Sequence, residues 1–332
     1  MTTSVTAPGQ LPGAKGADVQ ATFEASISYE IHLTLSGSDD SLLLRHWPGE
    51  GDPVLYVHGA TFPSSLSVGY RFGGRSWADD LRAAGLDVWA FDFIGFGGSS
   101  RPRQMSLSAS GIAPLGRAPE AAAQVGAVVD HIRRARAGAP VHIVAHSWGT
   151  IATGLFAGHR PDAVGRLVLF GPIVQRELQG LPPPDSIGAW REVTIADQLM
   201  RFVEDVPPSH PPVLIEPDLA AWGPAYLATD AGAAGRNPPA VRIPNGPQAD
   251  IIAALSGKLP YDPRRVLAPT LIVRGEWDNL CQDADAAWLT HALGATEKAD
   301  VVVPRATHLM HLEHGREGLF AATAGWLARS AS

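Results

Sequence analysis

Three features are scarce in this sequence, and each absence excludes a class of protein. Cys281 is the single cysteine among 332 residues, so neither an intrachain disulfide nor a thiolate metal cluster can form. No stretch approaches the ~20 uninterrupted apolar residues of a membrane-spanning helix, so we expect no contact with a membrane. There is no run of basic residues and the net charge is −7, so nucleic acid is not an expected partner.

The first twenty residues also lack a recognisable signal. The segment MTTSVTAPGQLPGAKGADVQ has no charged start followed by an apolar core, so we expect no signal peptide. Its Gly, Pro, Ala and Thr content predicts a flexible tail over residues 1–20. A single cysteine and no leader are compatible with the reducing cytoplasm, which is the location we expect.

The remaining composition is that of a well-buried globular protein. Apolar residues make up 45% of the chain and charged residues 18%, which excludes a disordered protein. A length of 332 residues fits one α/β domain that carries an insertion.

Strand and helix patterns alternate along most of the chain. An alternating pattern over 21–35 and 41–46 predicts an antiparallel hairpin at a sheet edge. Continuous apolar runs then predict buried strands, and helical patterns lie between them. The predicted strands are 53–57, 86–91, 141–145, 166–170, 270–273 and 300–303, and the predicted helices are 77–84, 118–137, 150–159, 284–293 and 315–328. This order predicts an α/β fold with a mostly parallel, doubly wound sheet and helices on both faces.

The alternation stops between residues 174 and 248. Prolines are frequent there and separate short helical pieces that carry large apolar side chains. A structureless loop of this length is improbable in a compact domain, so we predict a mainly helical cap over 174–248, inserted into a core formed by 21–173 and 249–332.

One short stretch, VHIVAHSWGT at 141–150, predicts a strand that turns sharply into a helix with Ser147 at the corner. A serine in that position is typical of a nucleophile elbow. Ala145 and Gly149 are small, as the tight turn requires, although the usual pattern has glycine at both places. The alternative is a solvent-facing serine in an ordinary loop.

A serine nucleophile needs a base and a third group that orients the base. Catalytic groups in such sheets follow the carboxyl ends of strands. Asp278 follows the predicted strand 270–273, and His308 follows 300–303. The predicted triad is therefore Ser147, His308 and Asp278, with Glu276 as the competing acid.

With these residues the chain resembles the α/β-hydrolase superfamily over about residues 25–330. The supporting motifs are His58-Gly59 after one strand and D-x-x-G-x-G-x-S at 92–99 after the next. The resemblance implies an oxyanion hole made by the backbone N–H groups of Ala60 and Trp148, with Thr61 as the alternative to Ala60. Within the superfamily the chain loosely resembles cap-bearing bacterial monoester hydrolases such as monoalkyl phthalate hydrolases.

Other candidate residues receive simpler interpretations. His311 and His314 lack the carboxylate or cysteine partners of a metal site, so we predict no metal and assign both to the start of the last helix. His58 and Asp92 are expected to stabilise loops, and Arg71 and Arg75 to be solvated charges or partners of a substrate carboxylate. The predicted substrate pocket contains Thr61, Phe62, His146, Trp190 and Trp222, and Phe72 and Trp77 are expected near its mouth.

The resemblance and the serine at the elbow together imply acyl transfer without a cofactor. The expected reaction is hydrolysis of a carboxylic ester or lactone of a mid-sized, partly apolar small molecule through an acyl-enzyme. Hydrolysis of C–C bonds and cofactor-free perhydrolysis by the same triad remain open, as does a protein that binds such molecules without turnover. Ser-Trp-Gly also resembles proline iminopeptidases, but their H-G-G-P-G is replaced by His58-Gly-Ala-Thr-Phe62. Neither the acyl acceptor, water or an alcohol, nor the oligomeric state follows from these residues.

Overall fold

The structure is a computed structural model that describes residues 28–215 and 218–329. The predicted tail 1–20 and the first part of the predicted hairpin lie outside the described residues. The strands are β1 Tyr29–Thr34, β2 Ser41–Trp47, β3 Pro53–Val57, β4 Asp87–Phe91, β5 Val141–His146, β6 Val164–Phe170, β7 Trp190–Thr194, β8 Ala240–Pro244, β9 Thr270–Gly275 and β10 Lys298–Val303. The helices are α1 Trp77–Ala83, α2 Ala118–Ala135, α3 Gly149–His159, α4 Ile195–Val203, α5 Asp218–Ala228, α6 Gly246–Leu255, α7 Asp283–Ala292 and α8 Arg316–Leu327.

Eight strands form one sheet in the order β1-β2-β4-β3-β5-β6-β9-β10. The pairs β1/β2 and β2/β4 are antiparallel, and the remaining pairs, from β4/β3 to β9/β10, are parallel. The prediction of a mostly parallel α/β sheet with an antiparallel hairpin at one edge is therefore confirmed.

Apolar residues cover both faces of this sheet. Successive side chains of a strand point to opposite faces, and in β3 this sends Leu55 and Val57 into one core cluster and Val54 and Tyr56 into the other. The first cluster includes apolar residues of α2 and α3, and the second includes residues of α1 and α8. Central strands buried on both faces explain the continuous apolar runs in the sequence.

Most predicted boundaries lie within two residues of those in the structure. The helix predicted over 118–137 ends at Ala135, because Ala137 and Gly138 adopt φ angles of 52° and 83°. These left-handed conformations cannot continue a right-handed helix.

The predicted cap, residues 174–248, contains α4 and α5 and also two strands. β7 and β8 form a separate antiparallel pair. This pair was not predicted, because each strand has five residues and its partner lies about fifty residues away in the chain. Helix α6 begins at Gly246, so it crosses the predicted boundary at 248.

Trp222 of α5 attaches the predicted cap to the loop that follows β3. Its indole Nε1–H donates to Leu66 O at 3.1 Å, and its ring contacts Phe62, Phe202 and Tyr226 at centroid distances of 5.3, 4.9 and 5.2 Å. An aromatic cluster of this kind buries a large apolar area at one place and so fixes the position of α5 over the core.

In the part of the chain that the structure describes, no helix is long and apolar enough to cross a bilayer.

Candidate active site

Ser147 occupies a sharp turn between β5 and α3. Its φ angle is 54°, a left-handed conformation that costs energy for any residue other than glycine. Its N–H donates to Phe170 O at 2.9 Å, which ties the turn to the neighbouring strand β6. At Gly149 a Cβ atom would lie 2.5 Å from His58 O, so the turn requires glycine there. This strained corner is the geometry of a nucleophile elbow.

Ser147, His308 and Asp278 form one hydrogen-bonded chain. His308 Nε2 lies 2.8 Å from Ser147 Oγ, and His308 Nδ1 lies 3.0 Å from Asp278 Oδ2 and 3.1 Å from Oδ1. The side chains come from the carboxyl ends of β5, β10 and β9, which are brought to one edge by the parallel sheet. Such a chain can move a proton from the serine to the imidazole, with the carboxylate holding the ring.

The carboxylate of Asp278 is itself held by backbone groups. Its Oδ1 accepts hydrogen bonds from the N–H groups of Leu280 at 2.9 Å and Cys281 at 3.0 Å. Glu276, the competing acid, instead accepts a hydrogen bond from Arg305 N–H at 2.8 Å. The geometry therefore favours Asp278 as the residue that orients His308.

Gly171, directly after β6, leaves the room that this pair needs. A Cβ atom at Gly171 would lie 2.9 Å from His308 Nδ1 and 3.1 Å from Asp278 Oδ2, and the residue has a φ angle of 52°. Both the space and the backbone conformation therefore call for glycine.

The loop that carries His308 is fixed by a buried carboxyl that the sequence analysis did not single out. Glu313 accepts hydrogen bonds from Thr307 N–H at 3.1 Å and from the Thr307 hydroxyl. Burial raises the pKa of Glu313 to about 7. A glutamate after the histidine carries no distinctive sequence signal, so only the fold reveals this contact.

Two further histidines lie beside His308. His146 Nε2 is 3.1 Å from His308 O and donates to this carbonyl, and its ring stacks on Phe170 at 4.3 Å. The His311 ring contacts His146 at 4.8 Å. Burial lowers the pKa of His311 to about 3 and holds the pKa of His146 well below its usual value. Both rings are thus neutral at neutral pH and place no competing positive charge beside His308.

The position of His311 corrects one prediction. His311 and His314 do not begin the last helix, since α8 starts at Arg316. His311 is buried against the aromatic ring of Phe62, and the His314 N–H donates to Val213 O at 2.8 Å. A separate 3₁₀ helix, Met310–Leu312, precedes α8.

The predicted oxyanion donors belong to Trp148, which follows Ser147 in the chain, and to Ala60, which lines the same cavity as Ser147. Gly59 brings its loop against the elbow, since a Cβ atom there would lie 3.2 Å from Ser147 Cβ. Within the described residues, the backbone N–H groups of Ala60, Thr61 and Trp148 donate to no other group. Free donors beside a serine are the arrangement that stabilises an oxyanion.

His58 and Asp92 stabilise loops around the site, as predicted. His58 Nε2 accepts from Phe93 N–H at 3.1 Å, and burial lowers the pKa of His58 to about 4. Asp92 accepts hydrogen bonds from Ser64 N–H at 2.9 Å and from Arg45 at 3.0 Å. Both residues therefore support the loops around the site.

A cavity of about 570 Å³ opens at Ser147 and His308. Its volume is typical of sites that bind small organic molecules. The predicted pocket residues Thr61, Phe62 and His146 line it. The lining residues that were not predicted are Arg191, Glu192, Val193, Asp197, Gln198, Arg201, Glu204 and Gln248 from the predicted cap, and Ile251, Leu255, Leu280 and Leu309 from the core. Their roles depend on tertiary contacts that no local pattern encodes.

Trp190 and Trp222 do not line this cavity. Trp190 packs under the guanidinium of Arg242, 3.6 Å from the ring centroid, and donates to Leu107 O at 3.2 Å. Trp222 is fully buried against the loop after β3. Both indole rings hold the predicted cap against the core. The prediction that they line the pocket rested on their large size alone and is wrong.

The residues expected near the mouth also lie elsewhere. Phe72 and Trp77 are buried in the core. Arg71 and Arg75 pair with Asp79 at 3.0 Å and Asp80 at 2.7 Å, and neither arginine is among the lining residues. Among the residues that the structure describes, no group of three or more His, Cys, Asp or Glu side chains could hold a metal ion.

The sequence profile of the alpha/beta hydrolase family matches residues 54–322. The chain belongs to this family. No curated protein sequence matches it.

Solved structures share the fold at low sequence identity. The thioesterase domain from the curacin biosynthetic pathway is 17% identical, with a TM-score of 0.60, over 91% of this chain and 100% of that one. E-2-(acetamidomethylene)succinate hydrolase is 18% identical, with a TM-score of 0.57, over 91% and 100%. A loop variant of a haloalkane dehalogenase from Bradyrhizobium elkanii is 18% identical, with a TM-score of 0.57, over 91% and 97%. These proteins are named for different reactions, so the shared fold alone does not assign one to this chain.

Proposed function

We propose that this protein is a serine hydrolase that cleaves a carboxylic ester or lactone through an acyl-enzyme. The observation that carries the proposal is the hydrogen-bonded chain of Ser147, His308 and Asp278, with a distance of 2.8 Å between the serine Oγ and the imidazole. A serine at the elbow favours acyl transfer, whereas dehalogenation through this fold would use an aspartate there.

The proposed reaction has two halves. Ser147 Oγ attacks the ester carbonyl while His308 Nε2 takes its proton. The N–H groups of Ala60 and Trp148 stabilise the negative oxygen, and the protonated His308 then gives its proton to the departing alcohol. Water, activated by the same histidine, attacks the acyl-enzyme and releases the acid and the free serine.

The cavity supports a mid-sized substrate that is partly apolar. Phe62, Ile251, Leu255, Leu280 and Leu309 supply apolar surface, and its volume is about 570 Å³. Hydrolysis of C–C bonds or formation of a peracid would use the same triad, and a panel of substrates separates these reactions from ester hydrolysis.

A fluorophosphonate probe tests the proposal directly. We expect one adduct on the wild-type protein, measured by intact mass, and none on Ser147→Ala. The same substitution should lower kcat/KM for an aryl ester by roughly 10⁶-fold, because it removes the attacking atom. Thr153→Ala, another buried hydroxyl in α3, is the matched control and should still be labelled. A folded wild-type protein that forms no adduct would support a binding protein without turnover.

A further inference from the structure

The cavity that contains Ser147 and His308 also carries a positive charge that the proposed reaction does not use. Arg191, in β7, is partly buried and lines the cavity together with Ser147 and His308. Its Nη1 donates to Asn245 Oδ1 at 2.8 Å. This acceptor is a neutral amide, so the bond leaves the charge of the guanidinium uncompensated.

Arg191 differs in this respect from the other arginines of the molecule. In residues 28–215 and 218–329, every other arginine that is not exposed has a carboxylate oxygen within 4.0 Å. No described carboxylate lies within that distance of Arg191. Burial lowers the pKa of Arg191, which reflects the cost of holding a poorly hydrated charge without an anion. Arginine remains protonated all the same.

The acidic side chains that line the same cavity already have other hydrogen-bond or ion-pair partners. Glu192 pairs with Arg242 at 2.9 Å and with Arg236 at 3.2 Å, and Glu204 pairs with Arg201. Asp197 accepts hydrogen bonds from Thr194 N–H at 2.8 Å and from its hydroxyl at 2.7 Å. These partners keep the acids away from Arg191.

The guanidinium is also held in place before any ligand arrives. Asn245 Nδ2 donates to Ile187 O at 2.8 Å and to Gly188 O at 3.2 Å, which orients its Oδ1 toward Arg191. Only one of the five N–H donors of Arg191 is used by this bond. A planar guanidinium fixed in this way suits a two-point contact with a carboxylate.

We propose that Arg191 is a specificity-determining residue that binds a carboxylate of the substrate, so that the preferred esters carry one free carboxylate in their acyl or alcohol part. Among the described residues of the cavity, Arg191 is a cation without a carboxylate partner beside several acids, which matches one negative charge better than a doubly charged phosphate. This inference rests on the proposed function, since it assumes that the cavity holds the ester that Ser147 attacks.

Two matched pairs of esters test it. para-Nitrophenyl hydrogen glutarate and para-nitrophenyl valerate differ in one terminal carboxylate on the acyl side. para-Carboxyphenyl butyrate and its methyl ester differ on the alcohol side. In at least one pair, we expect the wild-type kcat/KM to favour the charged ester by about tenfold or more.

Variants of Arg191 then show whether this residue causes the preference for the charged ester. Arg191→Gln should abolish it by lowering kcat/KM for the charged ester more than for the neutral ester, and Arg191→Lys should retain part of it. Arg134→Gln removes an exposed arginine of α2 and controls for the change in net charge. No preference in either pair, or a preference that survives in Arg191→Gln, would overturn the inference.

A binding measurement separates this outcome from failure of the proposed function. Monomethyl glutarate is titrated by calorimetry into Ser147→Ala and into Ser147→Ala with Arg191→Gln. We expect binding to the first protein and at least about tenfold weaker binding to the second. If no ester is hydrolysed but this difference is found, the carboxylate site stands and the proposed function fails. Equal binding to both proteins would contradict the site even if esters are hydrolysed.

Discussion

The two sides of the cavity are built in different ways. On the sheet side, Ser147, His308 and Asp278 follow three parallel strands and are joined by hydrogen bonds. On the side of the predicted cap, Arg191 and its neighbours come from a short strand pair and a helix, and Arg191 has no acidic partner among the residues that the structure describes. In the function that we propose, the sheet edge carries out the reaction, whereas the residues of the predicted cap select the molecule that is held for it.

The largest effect is expected when Asp278, the acid that orients His308 on the sheet side of the cavity, is replaced. Asp278→Asn should lower kcat by roughly 10³–10⁴-fold, because the amide cannot stabilise the imidazolium that forms when His308 takes the serine proton. Steady-state kinetics with an aryl ester measures the loss. Glu276→Gln changes the acid that binds Arg305 instead and should leave kcat within about twofold. Similar losses in both variants would mean that the assignment of Asp278 is wrong.

A smaller loss is expected from Gly171→Ala. The added methyl group would press on His308 Nδ1 and Asp278 Oδ2, and a displaced base lowers the rate by up to roughly 10²-fold. The control is Gly180→Ala, which has a φ angle of 80° and no atom within 4 Å of the added Cβ. Both variants bear the cost of a left-handed alanine, so thermal unfolding should shift in both while kcat falls only in the first. If kcat is unchanged in Gly171→Ala, His308 and Asp278 tolerate displacement by the added methyl group.

The smallest expected effect is the contribution of Glu313 to the pH dependence of the free energy of unfolding. The pKa of Glu313 is raised to about 7 from an ordinary value of 4.5, so the folded protein retains a proton that the unfolded chain loses between these values. The stability contributed by the protonated form is complete below pH 4.5 and is lost as the pH rises through about 7. The shift corresponds to about 3 kcal/mol at most.

Urea unfolding at several pH values measures this contribution. The free energy of unfolding should fall between about pH 4.5 and pH 7 in the wild type and fall less in Glu313→Gln, which stays neutral. Glu317→Gln removes an exposed carboxylate of α8 and should keep the wild-type slope. The same slope in Glu313→Gln would mean that this carboxyl does not titrate in the folded protein as described.

The sheet side was largely predictable from the sequence. Buried strands appear as apolar runs, their carboxyl ends are visible as abrupt changes to polar residues, and the order of Ser147, Asp278 and His308 follows from them. The residues found there lie within one hydrogen-bonded chain. Glu313 was not predicted, since its contact with Thr307 depends on how the loop after β10 folds back.

The lining residues of the predicted cap were poorly predictable for a physical reason. Large aromatic side chains such as Trp190 and Trp222 suggested a pocket, but they pack against Arg242 and the loop after β3. The cavity is lined instead by polar residues such as Arg191 and Gln198, which look like surface residues in the sequence. Side-chain size and polarity do not reveal which residues a short strand pair turns toward the cavity.

Trapping the acyl-enzyme tests directly whether Ser147 is the nucleophile. The wild-type protein is mixed with para-nitrophenyl valerate, quenched in acid within the first turnover and analysed by intact mass and peptide mapping. We expect an added valeryl group on the peptide that contains Ser147, and no such species in Ser147→Ala. Ester hydrolysis with the acyl group on another residue, or an equal rate of hydrolysis by Ser147→Ala, would contradict it.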